Sequence, residues 1–526
     1  MAPRVLIADE LSAQAVAVFK ERGVDADVKT GLSKDELLAI IPQYDGLAVR
    51  SATKATDKLI AAASKLRVIG RAGIGVDNID IKAATAKGVI VMNTPFGNSI
   101  TTAEHAITLM LALARQIPAA DRSTHAGKWE KSRFLGVEIT GKVLGVIGCG
   151  NIGSIVADRA VGLKMRVIAF DPFLTADRAQ RLGVEKVELE ELFRRADFIT
   201  LHTPLIEKTR NIIDAKAIAK MKMGVRIINC ARGGLVDEVA LKAGLDSGHV
   251  AGAGLDVFAE EPAKTHSLFG YDNVVCTPHL GASTVEAQEN VAVQVAEQMS
   301  DYLTTGAITN ALNFPSISAD EAPRLRPFVK LAEQLGSFCG QVTHSGLKEI
   351  GIEYTGEVAS MNTRALTSAA LAGVLAHVLE GANMVSAPII AKERGITINE
   401  STRAQQGAYG SYMRVRVLSE AGERSVAGTV FSDGRGRLIQ LDGINLEAEI
   451  GAHMLYTQNA DKPGYIGALG SLLGAADVNI AAFSLGRNRP GGEAIALAEV
   501  DDPVSDKVLA DVKALPHVKR VERLVF

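Results

Sequence analysis

A chain of 526 residues is long enough for several domains, and 47% hydrophobic against 22% charged residues promises ample cores. A net charge of −3 and a pI near 6.4 exclude a global pull on nucleic acid, so an anionic ligand needs a local basic cluster. Four widely spaced cysteines (Cys149, Cys230, Cys276, Cys339) form no CxxC or metal-like pattern, so no metal site is expected and the thiols fit a reducing compartment.

Met1-Ala2-Pro3-Arg4 runs straight into a strand pattern over 4–9 without a signal-peptide layout, which predicts a cytoplasmic protein. A helix pattern over 12–22 ends at Gly23, and strands are expected over 44–51, 66–75 and 88–93. Strands alternating with helices imply a parallel α/β sheet. This first block carries no dinucleotide fingerprint of its own. Residues 101–115 read as a long helix capped near Ser99 or Thr101. Its apolar part, 107–114, follows Glu104 and His105 and is too short to span a bilayer. The stretch 127–134 sets the only tryptophan, Trp129, among Lys128, Lys131 and Arg133. Two readings stand for it, a subunit-interface loop or a solvated loop with a partly buried indole.

The run 143–153 begins as a buried strand and breaks into G-x-G-x-x-G at Gly148, Gly150 and Gly153. The first glycine allows a tight turn, the second lets backbone approach a pyrophosphate, and the third lets the next helix pack on the strand. A helix over 154–163 and a strand over 164–170 follow, and Asp171 ends that strand eighteen residues after Gly153. A carboxylate there accepts the adenine ribose hydroxyls and repels a 2′-phosphate, so NAD is favoured over NADP. Further strands at 197–202, 225–230, 252–257 and 273–278 end in polar residues: Thr203, Arg232, Asp256, Glu261 and His279. Ligands of open α/β sheets bind outside the carboxyl ends of the strands, so these side chains are expected in one crevice.

A helix pattern over 283–303 precedes a Pro- and Ser-rich linker-like stretch, 313–323. From about 324 to 450 come helices at 327–341 and 367–379 and strands at 413–418, 425–431 and 437–441, with no catalytic constellation. The last block reads βαββαβ, with strands starting at 453, 478, 494 and 518 and helices from 465 and 504, a ferredoxin-like order.

Three residues carry the chemistry. His279 is a natural general base for an alcohol near neutral pH. Glu261 is placed to orient the imidazole and favour its protonated form. Arg232 can clamp a carboxylate with two parallel hydrogen bonds. Together they suit hydride transfer between C2 of a 2-hydroxy acid and nicotinamide.

The segments Asn229-Cys230-Ala231-Arg232-Gly233-Gly234, Leu255-Asp256-Val257-Phe258 with Glu260-Glu261-Pro262, and Thr277-Pro278-His279-Leu280-Gly281-Ala282-Ser283-Thr284 resemble the signatures of the D-isomer-specific 2-hydroxyacid dehydrogenases. Arg50-Ser51-Ala52-Thr53-Lys54, the run 70–78 and Lys128-Trp129 resemble its long-form branch, which acts on 3-phosphoglycerate and phosphohydroxypyruvate in the first step toward serine. The fold class implied is α/β. Two Rossmann-like or flavodoxin-like parallel-sheet domains, the first discontinuous (1–98 with 284–316, then 99–283), precede an α+β intervening domain (317–450) and a ferredoxin-like ACT domain (451–526). Arg232, Glu261 and His279 match the family's catalytic positions. The implied cofactor contacts are Gly148, Gly150, Asn151, Ile152, Gly153, Asp171, Thr203, Pro204, Cys230, Ala231, Arg232, Asp256, His279, Gly281 and Ala282. The implied substrate contacts are Arg50, Ser51, Arg71, Gly73, Ile74 and Gly75, with Lys131 and Arg133 reaching a neighbouring subunit. Asn459, Asp461 and Asn479 fall where relatives bind serine. A homo-oligomer, dimer or tetramer, is expected, with no nucleic-acid or membrane partner. The competing readings are a dehydrogenase of another D-2-hydroxy acid, such as glycerate or hydroxypyruvate, and a dinucleotide-sensing corepressor-like scaffold.

Overall fold

A computed structural model describes residues 2–379, 382–404 and 409–526. They divide into two compact units, 1–93 with 295–526, and 94–294. The expected division at 98/99 lies five residues after the first boundary, and that at 283/284 lies eleven residues before the second, which falls within the helix Val285–Thr305.

The first unit opens with five parallel strands: β1 (Arg4–Ile7), β2 (Asp25–Val28), β3 (Gly46–Val49), β4 (Val68–Arg71) and β5 (Ile90–Asn93). Their spatial order is β2-β1-β3-β4-β5, a flavodoxin-like sheet. Central strands buried on both faces need apolar residues at successive positions, and Val5, Leu6, Ile7, Leu47, Val49, Val68 and Ile69 supply them. Local chemistry sets the helix ends. Ser33 and Glu36 form a reciprocal capping box before Lys34–Ile40, and Gly88 closes Ile81–Lys87 in the left-handed region. The segment after the helix Val285–Thr305 returns to this sheet, where Asn313 accepts from Val91 N–H at 2.9 Å and Ala311 bridges to Met92. The linker reading of 313–323 is therefore corrected. Phe314 and Ile317 are buried, Ile317 pairs with Ile308, and the next helix begins at Ala322.

The second unit holds seven parallel strands: β6 (Val143–Ile147), β7 (Arg166–Phe170), β8 (Glu185–Lys186), β9 (Phe198–Leu201), β10 (Val225–Asn229), β11 (Val250–Leu255) and β12 (Val274–Cys276). The order β12-β11-β10-β9-β6-β7-β8 is the doubly wound dinucleotide arrangement, with two buried apolar clusters built from both strand and helix residues. The helix expected over 101–115 runs Ser99–Ala114, and neither Ser99 nor Thr101 caps it. The Ser99 hydroxyl instead donates to the Pro95 carbonyl.

The rest of the first unit contains two further sheets. Strands β13 (Leu347–Gly356), β14 (Thr397–Arg403), β15 (Ser411–Ser419), β16 (Gly422–Val430), β17 (Gly436–Leu441) and β18 (Ile444–Glu449) form a mixed sheet, β13 pairing parallel with β14 and antiparallel with β15. The last four strands, β19 (His453–Ala460), β20 (Ile480–Arg487), β21 (Glu493–Val500) and β22 (Val518–Val525), are antiparallel in the order β20-β21-β19-β22. With the helices Tyr465–Ala475 and Asp506–Lys513 this is the ferredoxin-like βαββαβ fold. Among the described residues no helix is long and apolar enough to cross a membrane.

Candidate active site

The turn after β6 shows why its glycines are there. Gly148 has φ +88°, and a Cβ on it would lie 2.5 Å from the His202 carbonyl oxygen. A Cβ on Gly153 would lie 2.0 Å from the Gly148 carbonyl oxygen, so only glycine lets the helix Asn151–Gly162 sit this close to the strand end. Gly150 faces open space and starts that helix without a side-chain cap. Its first N–H groups are thus available to a phosphate. Asp171 is fixed at the next strand end. Its carboxylate accepts from the Cys149 and Phe173 N–H groups, each at 2.7 Å, which ties this strand end to the glycine turn. An open second glycine, an uncapped helix start and a fixed carboxylate fit a dinucleotide without a 2′-phosphate.

The strand ends on the other side of β6 carry the candidate catalytic side chains. His279 Nδ1 meets Glu261 Oε2 at 2.6 Å, while Glu261 Oε1 accepts from Phe258 N–H at 3.0 Å. The Glu261 hydrogen bond raises the affinity of His279 for a proton, against partial burial and the nearby positive charge of Arg232. For Glu261, burial works to raise the carboxyl, but the hydrogen bonds from His279 and Phe258 outweigh it and hold the group below its usual range. Arg232 follows β10 on a turn that Asn229 braces, its amide accepting from Ala231 N–H and donating to the Arg232 carbonyl. Arg232 Nη1 donates to the Ala231 carbonyl at 2.7 Å. Gly233 lets this turn touch the Glu261 segment, since a Cβ there would lie 1.8 Å from the Phe258 carbonyl oxygen.

Asp256, expected among the cofactor contacts, is fully buried at 0% exposure. Its carboxylate accepts from Leu280 and Gly281 N–H and from the Thr277 hydroxyl. Any part it plays in cofactor binding runs through the loop it holds. Thr203 and Pro204 follow β9, and Cys230 lies one residue past β10 with its side chain buried. All four cysteines are unpaired. Burial raises the Cys149 and Cys230 thiols, and Cys276 is pushed up to about 11.

In the first unit, Arg50 and Arg71 stand at the carboxyl ends of adjacent strands, where Val49 pairs with Arg71. Buried Asp9 accepts from Arg50 N–H, Thr53 N–H and the Thr53 hydroxyl, fixing the 50–53 turn that includes Ser51. Asn93 donates to the Ile74 carbonyl at 2.7 Å, which steadies the Gly73-Ile74-Gly75 loop. Of the loop cations, Arg133 is engaged by Glu130 at 3.0 Å and Asp272 at 2.6 Å, whereas Lys131 is exposed beside Trp129, itself 88% exposed.

The three regulatory candidates are not brought together by any hydrogen bond among the described residues. Asp461 accepts from Arg487 and from Gly491 N–H, each at 2.9 Å. The Gly491 donation, then Arg487, holds its carboxyl below the usual value. Asn479 donates to Asp501 at 2.8 Å. Asn459 is buried, and its side-chain oxygen has no hydrogen-bond partner.

Residues 107–281 match the model of the D-isomer specific 2-hydroxyacid dehydrogenase NAD binding domain. Residues 324–442 match the D-3-phosphoglycerate dehydrogenase intervening domain, and 453–517 the ACT domain. A D-3-phosphoglycerate dehydrogenase of Synechocystis is 43% identical over 98% of this chain and 93% of its own length. The chain belongs to the D-3-phosphoglycerate dehydrogenases. The Archaeoglobus fulgidus and Bacillus subtilis proteins of this family are 42% and 39% identical over 98% and 99% of the chain. Among solved structures, a glyoxylate reductase from Paecilomyes thermophila (TM-score 0.55, 30% identity) and the apo D-lactate dehydrogenase of Escherichia coli (TM-score 0.53, 27% identity) each cover 59% of this chain. The glyoxylate reductase is covered over 98% of its length and the lactate dehydrogenase over 99%. As a D-3-phosphoglycerate dehydrogenase, the chain is an NAD-dependent oxidoreductase with a small-molecule substrate. Sequence reasoning singled out neither Gly233 nor His105, whose ring nitrogen reaches Asp256. The close glycine was legible only in part, as a G-G pair beside Arg232.

Proposed function

We propose that the chain oxidises D-3-phosphoglycerate to 3-phosphohydroxypyruvate, the first step toward serine, with His279 taking the C2 hydroxyl proton. The observation that carries this reading is the 2.6 Å Glu261–His279 pair at the carboxyl edge of a dinucleotide sheet. Bound NAD supplies the hydride acceptor. Arg232 clamps the substrate carboxylate and opposes charge build-up on the imidazole, while Glu261 orients the ring and stabilises the imidazolium that forms. In the first unit, Arg50, Ser51, Arg71 and the backbone of Gly73 to Gly75 are assigned to the anionic end of the substrate. Purified protein should produce NADH from NAD and 3-phosphoglycerate. Preferential turnover of glycerate or hydroxypyruvate across a panel of 2-hydroxy and 2-oxo acids would overturn the substrate assignment.

The pair sets the pH response. In the oxidative direction the working form is neutral His279, and Glu261 opposes that form by raising the proton affinity of the ring. Glu261→Gln removes this bias, so the rising limb of the oxidative pH profile should move to lower pH. Initial rates across pH check this, and an unmoved limb would separate Glu261 from His279.

The ACT domain is assigned an L-serine effector through Asn459, Asp461 and Asn479. The unpartnered Asn459 oxygen and the hairpin-bound Asp461 support a polar ligand there. Titration calorimetry with L-serine should give heat with the wild type and less with Asp461→Ala, and equal heats would dismiss the site. Exposed Trp129 and Lys131 support a homo-oligomer, dimer or tetramer, through that loop. The raised, unpaired thiols support a cytoplasmic setting.

A further inference from the structure

We propose that His105 is a positioning residue for His279, acting through the buried Asp256 carboxylate and Thr277. The proposal rests on the reading of His279 as the proton acceptor. His279 occupies the left-handed region at φ +56°, which a side-chain-bearing residue holds only when its surroundings impose it. Asp256 imposes it from both sides. The His279 N–H donates to the Asp256 carbonyl at 2.9 Å, and the carboxylate takes the next two N–H groups, Leu280 at 2.7 Å and Gly281 at 2.8 Å. On the preceding side, the Thr277 hydroxyl donates to the same carboxylate at 2.6 Å.

Every one of those donors comes from the loop being held. His105, on the helix Ser99–Ala114, brings a donor from elsewhere, 151 residues away in sequence. Its Nε2 lies 3.2 Å from Asp256 Oδ1 and 3.1 Å from Thr277 Oγ1. Its side chain is 17% exposed and that of Asp256 0%, so the contact is shielded from water. The loop is thereby pinned to a long helix of the same unit as well as to its own strand. A fully buried carboxylate keeps its charge only if its oxygens are well supplied with donors. Burial opposes ionisation of Asp256, and the hydrogen bonds from His105, Thr277, Leu280 and Gly281 overcome it. The charges that act on His279 are Glu261 and Asp256, which favour its protonation, and Arg232, which opposes it. A donor on Asp256 offsets part of one of these charges, so His105 tunes the imidazole as well as placing it.

The test uses the full-length protein, with His105→Leu (no donor), His105→Gln (an amide nitrogen near the Nε2 position), Thr277→Val and His279→Ala. His105→Leu should lower kcat at least tenfold with little change in KM for 3-phosphoglycerate. It should also move the His279 limb of the pH profile upward, because Asp256 then acts on the ring with less of its charge offset. His105→Gln should recover most of the rate and return the limb. If His105→Leu does not fold, Thr277→Val, which removes a donor to the same oxygen, should show the same loss and the same upward shift. Wild-type kcat and pH limb in His105→Leu, or no recovery in His105→Gln, would overturn the proposal. A near-wild-type rate in His279→Ala would instead overturn the reading of His279 on which it rests.

Discussion

Replacing His279 with alanine lowers kcat by about a hundredfold or more, the usual cost of losing a positioned general base. The substitution is well suited to isolate chemistry from folding. The imidazole is half exposed, so its removal opens no internal cavity. The loop keeps its anchors, since Leu280 N–H, Gly281 N–H and the Thr277 hydroxyl still bind Asp256. Alanine meets the same left-handed backbone that histidine already tolerates at φ +56°. The thermal midpoint should therefore change little while turnover collapses. Steady-state kinetics beside a melting curve give both numbers, and retention of most of the wild-type kcat would remove His279 from the mechanism.

Arg232→Lys keeps the positive charge and loses the fork. Arg232 spends one nitrogen on the Ala231 carbonyl at 2.7 Å, which orients the guanidinium plane. A lysine ammonium is a point charge and cannot hold that backbone oxygen and both substrate oxygens in one plane. Loss of a hydrogen bond to a charged group is worth about 1.5–3 kcal/mol, so kcat/KM should fall roughly tenfold to a hundredfold. An unchanged kcat/KM for Arg232→Lys would show that charge alone suffices at this position. Arg232→Ala should be worse than lysine, since it removes the charge as well.

The dinucleotide turn was legible in the sequence because three glycines at fixed spacing answer local steric demands. A Cβ at Gly148 or Gly153 collides with backbone a few residues or one strand away. Glu261 and His279 were legible because both lie at strand ends, where the topology of a parallel sheet leaves few places for side chains to go. His105 was not. A lone histidine in an apolar helix carries no periodic signal, and its partners are 151 and 172 residues away. The stretch 313–323 misled for a related reason. Its Pro and Ser content reads as a linker, yet Phe314 and Ile317 are buried by residues distant in the chain. Strand β13 was also missed. Glycines interrupt it at Gly351 and Gly356, although Ile350, Ile352 and Tyr354 alternate into the core. The regulatory candidates were placed by resemblance alone, and their own chain gives each a separate polar partner: Arg487 for Asp461, Asp501 for Asn479 and the Ala460 carbonyl for the Asn459 nitrogen.

The buried thiols give the molecule a built-in clock. The thiolate is the form that attacks alkylating reagents and peroxide, and burial, partial at Cys276, disfavours it at Cys149, Cys230, Cys276 and Cys339. Cys149 lies inside the glycine turn and Cys230 one residue past β10, so modification of either would spoil the cofactor strand ends. The folded protein should keep its activity through storage without added reductant. Labelling by iodoacetamide should be slow in the native state and fast once the chain opens, and opening of the dinucleotide sheet can be timed apart from that of the mixed sheet on which Cys339 packs. Three of the thiols report on 94–294, while Cys339, in the helix Ala322–Gln341, reports on the other unit.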